Sequence, residues 1–314
     1  MTHCIHLFNQ ISIRQCDQEA IMPLHFKNIG LMSKPNPNSE IIDTLLSLKH
    51  YLLSKKCQLF VEDVIANEIA DDSISIFPGE DLGAHCDLII VVGGDGSILR
   101  ATRLVADHQK PILGINKGTL GFLADITPTD LIHKLGNILE GKYIEDPRFL
   151  LNAELEQDGQ ITHQEFALND IVLMPGEIAH LIRFEIFIND QFVCPQRADG
   201  LIIATPTGST AYALSGGGPI LHPQLDAVVL VPMFSHNLTS RPLVVNGNST
   251  IKIAIPSESK IAPRLSCDGR ESTAIVPGSN IYINKKTNQL RLIHPIDYNY
   301  FETLRSKLHW EHNF

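Results

Sequence analysis

The stretch Asp87-Leu-Ile-Ile-Val-Val-Gly-Gly-Asp-Gly-Ser-Ile-Leu-Arg100 restricts the possible folds of this chain more than any other. An apolar run rich in β-branched residues passes straight into Gly93-Gly94-Asp95-Gly96-Ser97, and a helical pattern follows. A buried strand that ends in glycines and opens a helix gathers backbone N–H groups at a helix N-terminus, which attracts anions and above all phosphates. Asp95 is the odd member, a carboxylate placed where negative charge arrives. It can accept a proton, hold a cation, or simply cap its own helix in a glycine-rich turn.

The flanking chain repeats the strand-to-helix alternation. Phe26 to Met32 reads as a strand, and Ser39 caps a helix whose apolar face is Ile41, Ile42, Leu45, Leu46, Leu48 and Leu52. Gln58 to Glu62 is a second strand, followed by an irregular polar segment that reaches Pro78-Gly79. Beyond the glycine turn come a helix over 98–107, a strand over 111–116 and a helix over 131–139. This order gives a Rossmann-like, mostly parallel α/β domain, whose ligands bind at the carboxyl ends of strands. Asp95 and Asn116-Lys-Gly-Thr-Leu-Gly121 both fall at such ends.

Near Pro147 the pattern changes to short strands separated by turns such as Asn189-Asp190, Asn246-Gly247-Asn248 and Pro277-Gly278. An all-β second domain follows, read as a β-sandwich. The expected division is an N-terminal extension over 1–24, the α/β domain over 25–147, the sandwich over 148–290, and a C-terminal segment over 291–314. That last segment regains helical periodicity from Asp297 and is expected to pack back on the α/β domain. The weakly patterned leader reads as an appendage, with the fold beginning near Met22.

Bulk chemistry excludes some classes of function. The net charge of −10 leaves no broad basic footprint for nucleic acid, so an anionic ligand must be met by helix ends and individual arginines. The six cysteines are scattered without a CxxC pair, as expected of reduced thiols in a cytoplasmic protein. No apolar run has the length of a membrane span.

Two further stretches carry chemistry. From Arg197 through Asp199 to Pro219, a short apolar strand leads into hydroxyl-bearing residues around Gly208 and a small-residue helix over Thr210 to Ser215. Thr207, Ser209, Thr210 and Ser215 offer short donors and acceptors suited to a nucleotide's hydroxyls and phosphates, and Tyr212 can stack on a base or sit in a core. Asn169 and Asp170 interrupt an apolar strand, where they either meet a ligand or mark a bulge. Asp268-Gly269-Arg270 reads most simply as a turn.

As a set, these motifs resemble the NAD kinase family of bacteria. The set is Gly93-Gly94-Asp95-Gly96, Asn116 to Phe122, Asn169-Asp170, Asp199 to Tyr212, Leu230-Val-Pro-Met-Phe234 and Ser240-Arg-Pro-Leu243, running from Phe26 to the end. The glycine turn alone also fits kinases of lipids and sugar phosphates; the Asp199 to Tyr212 stretch is the discriminating part. The resemblance implies transfer of the ATP γ-phosphoryl group to the 2′-hydroxyl of the adenosine ribose of NAD, with a divalent cation (Mg or Mn). It implies Asp95 as general base with Gly96 shaping the turn, and Asn169 with the next residue on the adenine side. That next residue is usually Glu in the family and here is Asp170, one methylene shorter. His180, Arg197, Asp199 and the run Thr210-Ala211-Tyr212-Ala213-Leu214-Ser215 match further ligand positions, as Arg270 does where the family varies. Arg100 is added by placement as a phosphate partner. A homodimer or homotetramer is implied as well. Alternatives are a related kinase of a lipid or sugar phosphate, and a dinucleotide sensor without catalysis.

Overall fold

The computed structural model describes residues 24–69, 71–117, 121–176 and 181–310. Nearly all of the expected N-terminal extension lies outside them, as does His180. The first half runs β1 (Asn28–Ser33), α1 (Ser39–Ser54), β2 (Gln58–Glu62), α2 (Ala66–Ile69), β3 (Ser75–Phe77), α3 (Leu82–His85), β4 (Leu88–Val92), α4 (Asp95–Val105), β5 (Pro111–Ile115) and α5 (Leu131–Leu139). Its strands lie parallel in the order β3-β2-β1-β4-β5. The order reverses between β1 and β4, which opens a crevice beyond their carboxyl ends. The glycine turn leaves β4 at that point, so the Rossmann-like reading holds.

Burial on both faces explains the unbroken apolar run of β4. Leu88, Ile90 and Val92 pack with Leu45, Leu48 and Leu135 from α1 and α5, while Ile89 and Val91 pack with Ile98 and Ala101 of α4 on the opposite face. The cap of α1 is Asn38, whose side chain accepts from the Ile41 N–H at 3.2 Å, and not Ser39, the first helical residue. The segment expected to be irregular holds β3, a short edge strand that only its pairing with β2 defines.

The second half runs β6 (Tyr143–Gln157), β7 (Gln160–Ala167), β8 (Asp170–Pro175), β9 (Ile182–Ile188), β10 (Gln191–Ala198), β11 (Gly200–Ala204), α6 (Tyr212–Ser215), β12 (Ala227–Met233), β13 (Leu243–Asn246), β14 (Ile251–Ala254), β15 (Pro263–Cys267), β16 (Thr273–Ala274), β17 (Asn280–Pro295) and α7 (Tyr300–Leu308). An antiparallel sheet ordered β13-β12-β11-β8-β15-β16 packs face to face on β6, β7, β9, β14 and the first half of β17. Leu173, Leu201 and Leu230 from one sheet share a core with Phe184, Ile253 and Ile281 from the other, as in a sandwich.

Two long strands join the halves. β17 pairs with β14 through Ile251–Ala254 and then runs parallel to β5 through Arg291–Ile293, while β6 pairs along nearly all of it. β6 begins before Pro147, and β17 extends past Asn284, beyond the spans that local pattern suggests. Pro147 is tolerated because β7 pairs only with the later part of β6, so one side of the strand is open where the proline sits. Residues 291–293 of the C-terminal segment thus join the α/β sheet as a strand beside β5, and α7 follows in sequence.

Candidate active site at the crevice of the parallel sheet

Asp95 opens α4 with Gly94 as its N-cap, yet its carboxylate does not cap that helix. It reaches across to the loop after β5, where Oδ2 accepts from Phe122 N–H (3.0 Å) and Oδ1 from Leu123 (3.0 Å) and Ala124 (3.4 Å). The approach demands glycine at 121, since a Cβ there would lie 2.2 Å from Asp95 Oδ1. Space above Gly94 and Gly96 is open, with no atom within 4 Å of an added Cβ. The half-buried carboxylate therefore sits at a helix N-terminus, fixed from behind and accessible from the crevice.

Arg100, one turn along, is engaged on the protein side and does not stand free for a phosphate. Its guanidinium forms a two-pronged pair with Glu62, whose side chain is fully buried, and donates to Ser33 O at 3.2 Å. It ties together the carboxyl ends of β1 and β2 beside the glycine turn.

The corner between β7 and β8 brings Asn169 and Asp170 to the same region. Leu168, immediately before them, is buried with Ile98 and Ala101 of α4. Arg103 of α4 feels Asp268, Arg270 and Glu165; burial lowers its pKa first, then the Arg270 and Arg100 guanidiniums, against the pull of the two carboxylates. The corner is held by a residue that reads as a mere turn. Asp268 (φ 52°) accepts from the N–H groups of Leu168, Asn169 and Asp170 at 2.9, 2.8 and 3.3 Å. The only local trace of this role is the Asp-Gly pair, because the amides it holds lie about a hundred residues upstream.

Asp170 is buried at the start of β8, and burial, with the nearby Asp268 charge, pushes its carboxyl up to about 7. Burial also raises Asp268, opposed by its three backbone donors and by Arg270. Arg270 itself clamps β7, donating to Phe166 O (2.7 Å), Cys267 O (2.9 Å) and Glu165 (3.3 Å).

The stretch rich in hydroxyls packs onto this corner. Thr205 N–H donates to Asn169 O (2.9 Å) and Thr205 Oγ1 to Leu168 O (2.6 Å). Gly208 lies so close that a Cβ would sit 2.0 Å from Asn169 O. Several hydroxyls that the sequence offers to a ligand are used internally. Ser209, fully buried, bonds Pro206 O and the Leu221 N–H, and Thr207 accepts from Arg148 at 3.1 Å. The expected helix over Thr210 to Ser215 divides into a tight turn, Gly208–Thr210, and the single helical turn of α6, because Ala211 is non-helical. Tyr212 is half exposed and Ser215 exposed, both open to a ligand, whereas Ala213 is buried and Leu214 partly so.

Arg197 and Asp199 lie apart. Arg197 is exposed on β10, opposite Arg183 in the ladder, and lines a cleft of about 300 Å³ with Pro256 and Lys260. In the sheet order, β10 stands at the edge away from β4. Asp199 is held by its N–H to Met233 O at 3.0 Å. Asp95, Gly96, Asn169, Asp170 and the Thr210–Ser215 segment are thus drawn to one junction through shared packing, and Arg197 is not.

Known proteins agree with this architecture. Residues 29–143 match the ATP-NAD kinase N-terminal domain, and 168–295 the ATP-NAD kinase C-terminal domain. The NAD kinase of Pseudomonas fluorescens is 49% identical over 286 residues, covering 91% of this chain and 96% of that protein. That of Pseudomonas entomophila is 50% identical over 285 residues, with the same coverage. Among solved structures, a yeast NADH kinase complexed with NADH superposes with a TM-score of 0.84 at 27% identity, covering 93% of this chain and 89% of that one. An NAD kinase from Archaeoglobus fulgidus in complex with ATP shares the fold, with a TM-score of 0.68 at 24% identity over 89% of this chain and 99% of its own. The chain belongs to the ATP-NAD kinase family, phosphotransferases that use ATP to act on NAD.

Proposed function

We propose that this chain transfers the γ-phosphoryl group of ATP to the 2′-hydroxyl of the adenosine ribose of NAD, with Asp95 as general base. The observation that carries this reading is the placement of Asp95 at the crevice, braced by three backbone N–H groups and open above Gly94 and Gly96. A ribose hydroxyl is a poor nucleophile at neutral pH, and a carboxylate within hydrogen-bond reach takes its proton as the new bond forms. Among the described residues Oδ2 accepts from Phe122 N–H alone, which leaves a lone pair for that proton. The ribose O–H bond breaks as O–P forms, and the leaving β-phosphate oxygen takes the electron pair of the old P–O bond into ADP. Orientation and charge neutralisation supply most of the acceleration in such transfers.

Asn169, Asp170 and the exposed Tyr212 hold the adenosine side, and the N-terminus of α4 faces the phosphates. A divalent cation, Mg or Mn, enters as part of the ATP substrate. Among the described residues no three His, Cys, Asp or Glu side chains converge to form a cage. Cations at phosphoryl-transfer sites are commonly held by substrate phosphates with one or two carboxylates. The four described cysteines, Cys57, Cys86, Cys194 and Cys267, are free, and no helix among the described residues is long and apolar enough to cross a membrane. These features support a cytoplasmic setting. Phe192, Val193 and Leu243 are exposed on strands β10 and β13 at the sandwich edges, which supports self-association through that domain.

The test is NADP formation from NAD, ATP and Mg²⁺ in a coupled assay, with Asp95→Asn beside the wild type. Turnover should fall by roughly 10²-fold or more while NAD binding is retained. Near-wild-type turnover in the variant would remove Asp95 from the base role. Tight NAD binding by the wild type with no NADP formed would identify a sensor instead.

A further inference from the structure

A second polar cluster lies buried where β6 and β17 cross between the two halves. His294, fully buried near the end of β17, places Nδ1 3.0 Å from Asp125 Oδ2 and Nε2 3.5 Å from Asp146 Oδ2. Its ring lies flat on Tyr298, with centroids 3.9 Å apart and 8° between planes. Asp146 of β6 accepts from Arg148 Nη2 at 2.5 Å, and Arg148 Nη1 donates to Thr207 Oγ1 at 3.1 Å. The result is one continuous array of alternating charge: Asp125, His294, Asp146, Arg148, then the Thr207 hydroxyl.

Burial alone would strip the proton from His294, but the two carboxylates raise its pKa. Burial likewise works to raise Asp146, yet His294 and Arg148 outweigh it and hold that carboxyl down at about 2. The array is a poor way to stabilise a fold. Of eight buried side-chain polar atoms that make no hydrogen bond among the described residues, five lie in this cluster: Asp125 Oδ1, Asp146 Oδ1, Arg148 Nε, His294 Nε2 and Tyr298 Oη. Apolar residues of similar volume are often no less stable than a buried ion pair, and an ionic array with unmet donors is costlier still.

Its two ends are informative. Asp125 follows Ala124, the last of the three residues whose N–H groups hold Asp95. Thr207 precedes Gly208, which packs on the Asn169 carbonyl and begins the turn that carries Thr210 to Ser215. We propose that the array from Asp125 to Thr207 is a positioning device that sets the loop holding Asp95 against the turn holding the adenosine side of the substrate. Its members are positioning residues: they fix the gap between the base and the hydroxyl it serves. The inference rests on the kinase reading above, in which Asp95 and the Thr210–Ser215 segment act on one substrate.

Thr207→Val deletes the acceptor at one end while keeping shape, Asp125→Asn weakens the charge at the other, and Thr207→Ser keeps the hydroxyl. NADP formation, KM for NAD and Tm are measured for each, and for the Thr207→Val/Asp125→Asn double variant. Misplacement of reacting groups by about 1 Å can cost 10²-fold in rate. Thr207→Val and Asp125→Asn should each lower kcat by about 10-fold or more, with KM for NAD changed less than threefold and Tm lowered by only a few degrees. Thr207→Ser should stay within about threefold of wild type. The double variant should lose little more than the worse single one, because both changes break the same array. Wild-type kcat in both single variants, or losses that multiply in the double variant, would overturn the inference while leaving the kinase reading intact. No NADP from the wild type would overturn the kinase reading, and this inference with it.

Discussion

Asp170 shows how burial converts one side chain into a measurable property of the molecule. Its carboxyl titrates at about 7 in the folded state, because burial and Asp268 both oppose its charge. An unfolded chain releases the same proton near the ordinary carboxylate value of about 3.9. Between those values the folded protein binds a proton that the unfolded protein does not, so this group makes stability fall as pH rises, with the full penalty above pH 7. Asp170→Asn should therefore raise the Tm of the ligand-free protein by about 5 °C at pH 8 and by much less at pH 5. An equal gain at both pH values would show that Asp170 is not held up in this way. Asp95 was legible as a carboxylate in a glycine turn, and Asp170 as a polar residue interrupting an apolar strand. Asp268 was not, because its function is to accept three amides distant in sequence.

Among the elements, the turn at Gly208–Thr210 has little room for change. A Cβ on Gly208 would meet Asn169 O at 2.0 Å and Asn169 C at 2.4 Å, and backbone on both sides cannot yield as a side-chain tip can. Gly208→Ala should lift the turn from the β7–β8 corner. The expected cost is about 1–3 kcal/mol, as for overpacking elsewhere. KM for NAD should rise about tenfold or more, because Asn169 and the Thr210–Ser215 segment separate. An unchanged KM with a lowered Tm would confine the role of Gly208 to packing. Elements with strong periodicity, such as β4, α1 and α5, were readable because their burial imposes a pattern on contiguous residues. β3 and β15 escaped notice. Each is short, and its existence depends on a neighbouring strand (β2 for one, β8 for the other) that local sequence does not record.

Across the molecule, the halves share both strands and core. β6 and β17 pair across the junction, and Leu150 and Leu168 from the second half are fully buried with Ile98, Ala101 and Val105 of the first. Calorimetry should accordingly record one cooperative transition. Leu168→Ala should lower it as a whole, by the 2–5 kcal/mol usual for a buried leucine. Two separated transitions in that variant would show that the halves are stable on their own.

The chain alone determined the alternation of strands and helices in the first half, the glycine turn after β4, and the polar residues that interrupt apolar strands, because burial and turn geometry act on neighbours in sequence. Only the tertiary structure decided that Asp95 is gripped by Phe122 to Ala124 instead of capping α4, that Arg100 is bound to Glu62, and that Thr207 and Ser209 serve the protein. Those outcomes depend on which distant donor meets which acceptor. A carboxylate and the amides that hold it need share no spacing, so nothing in the linear pattern marks the pair before the sheet brings them together.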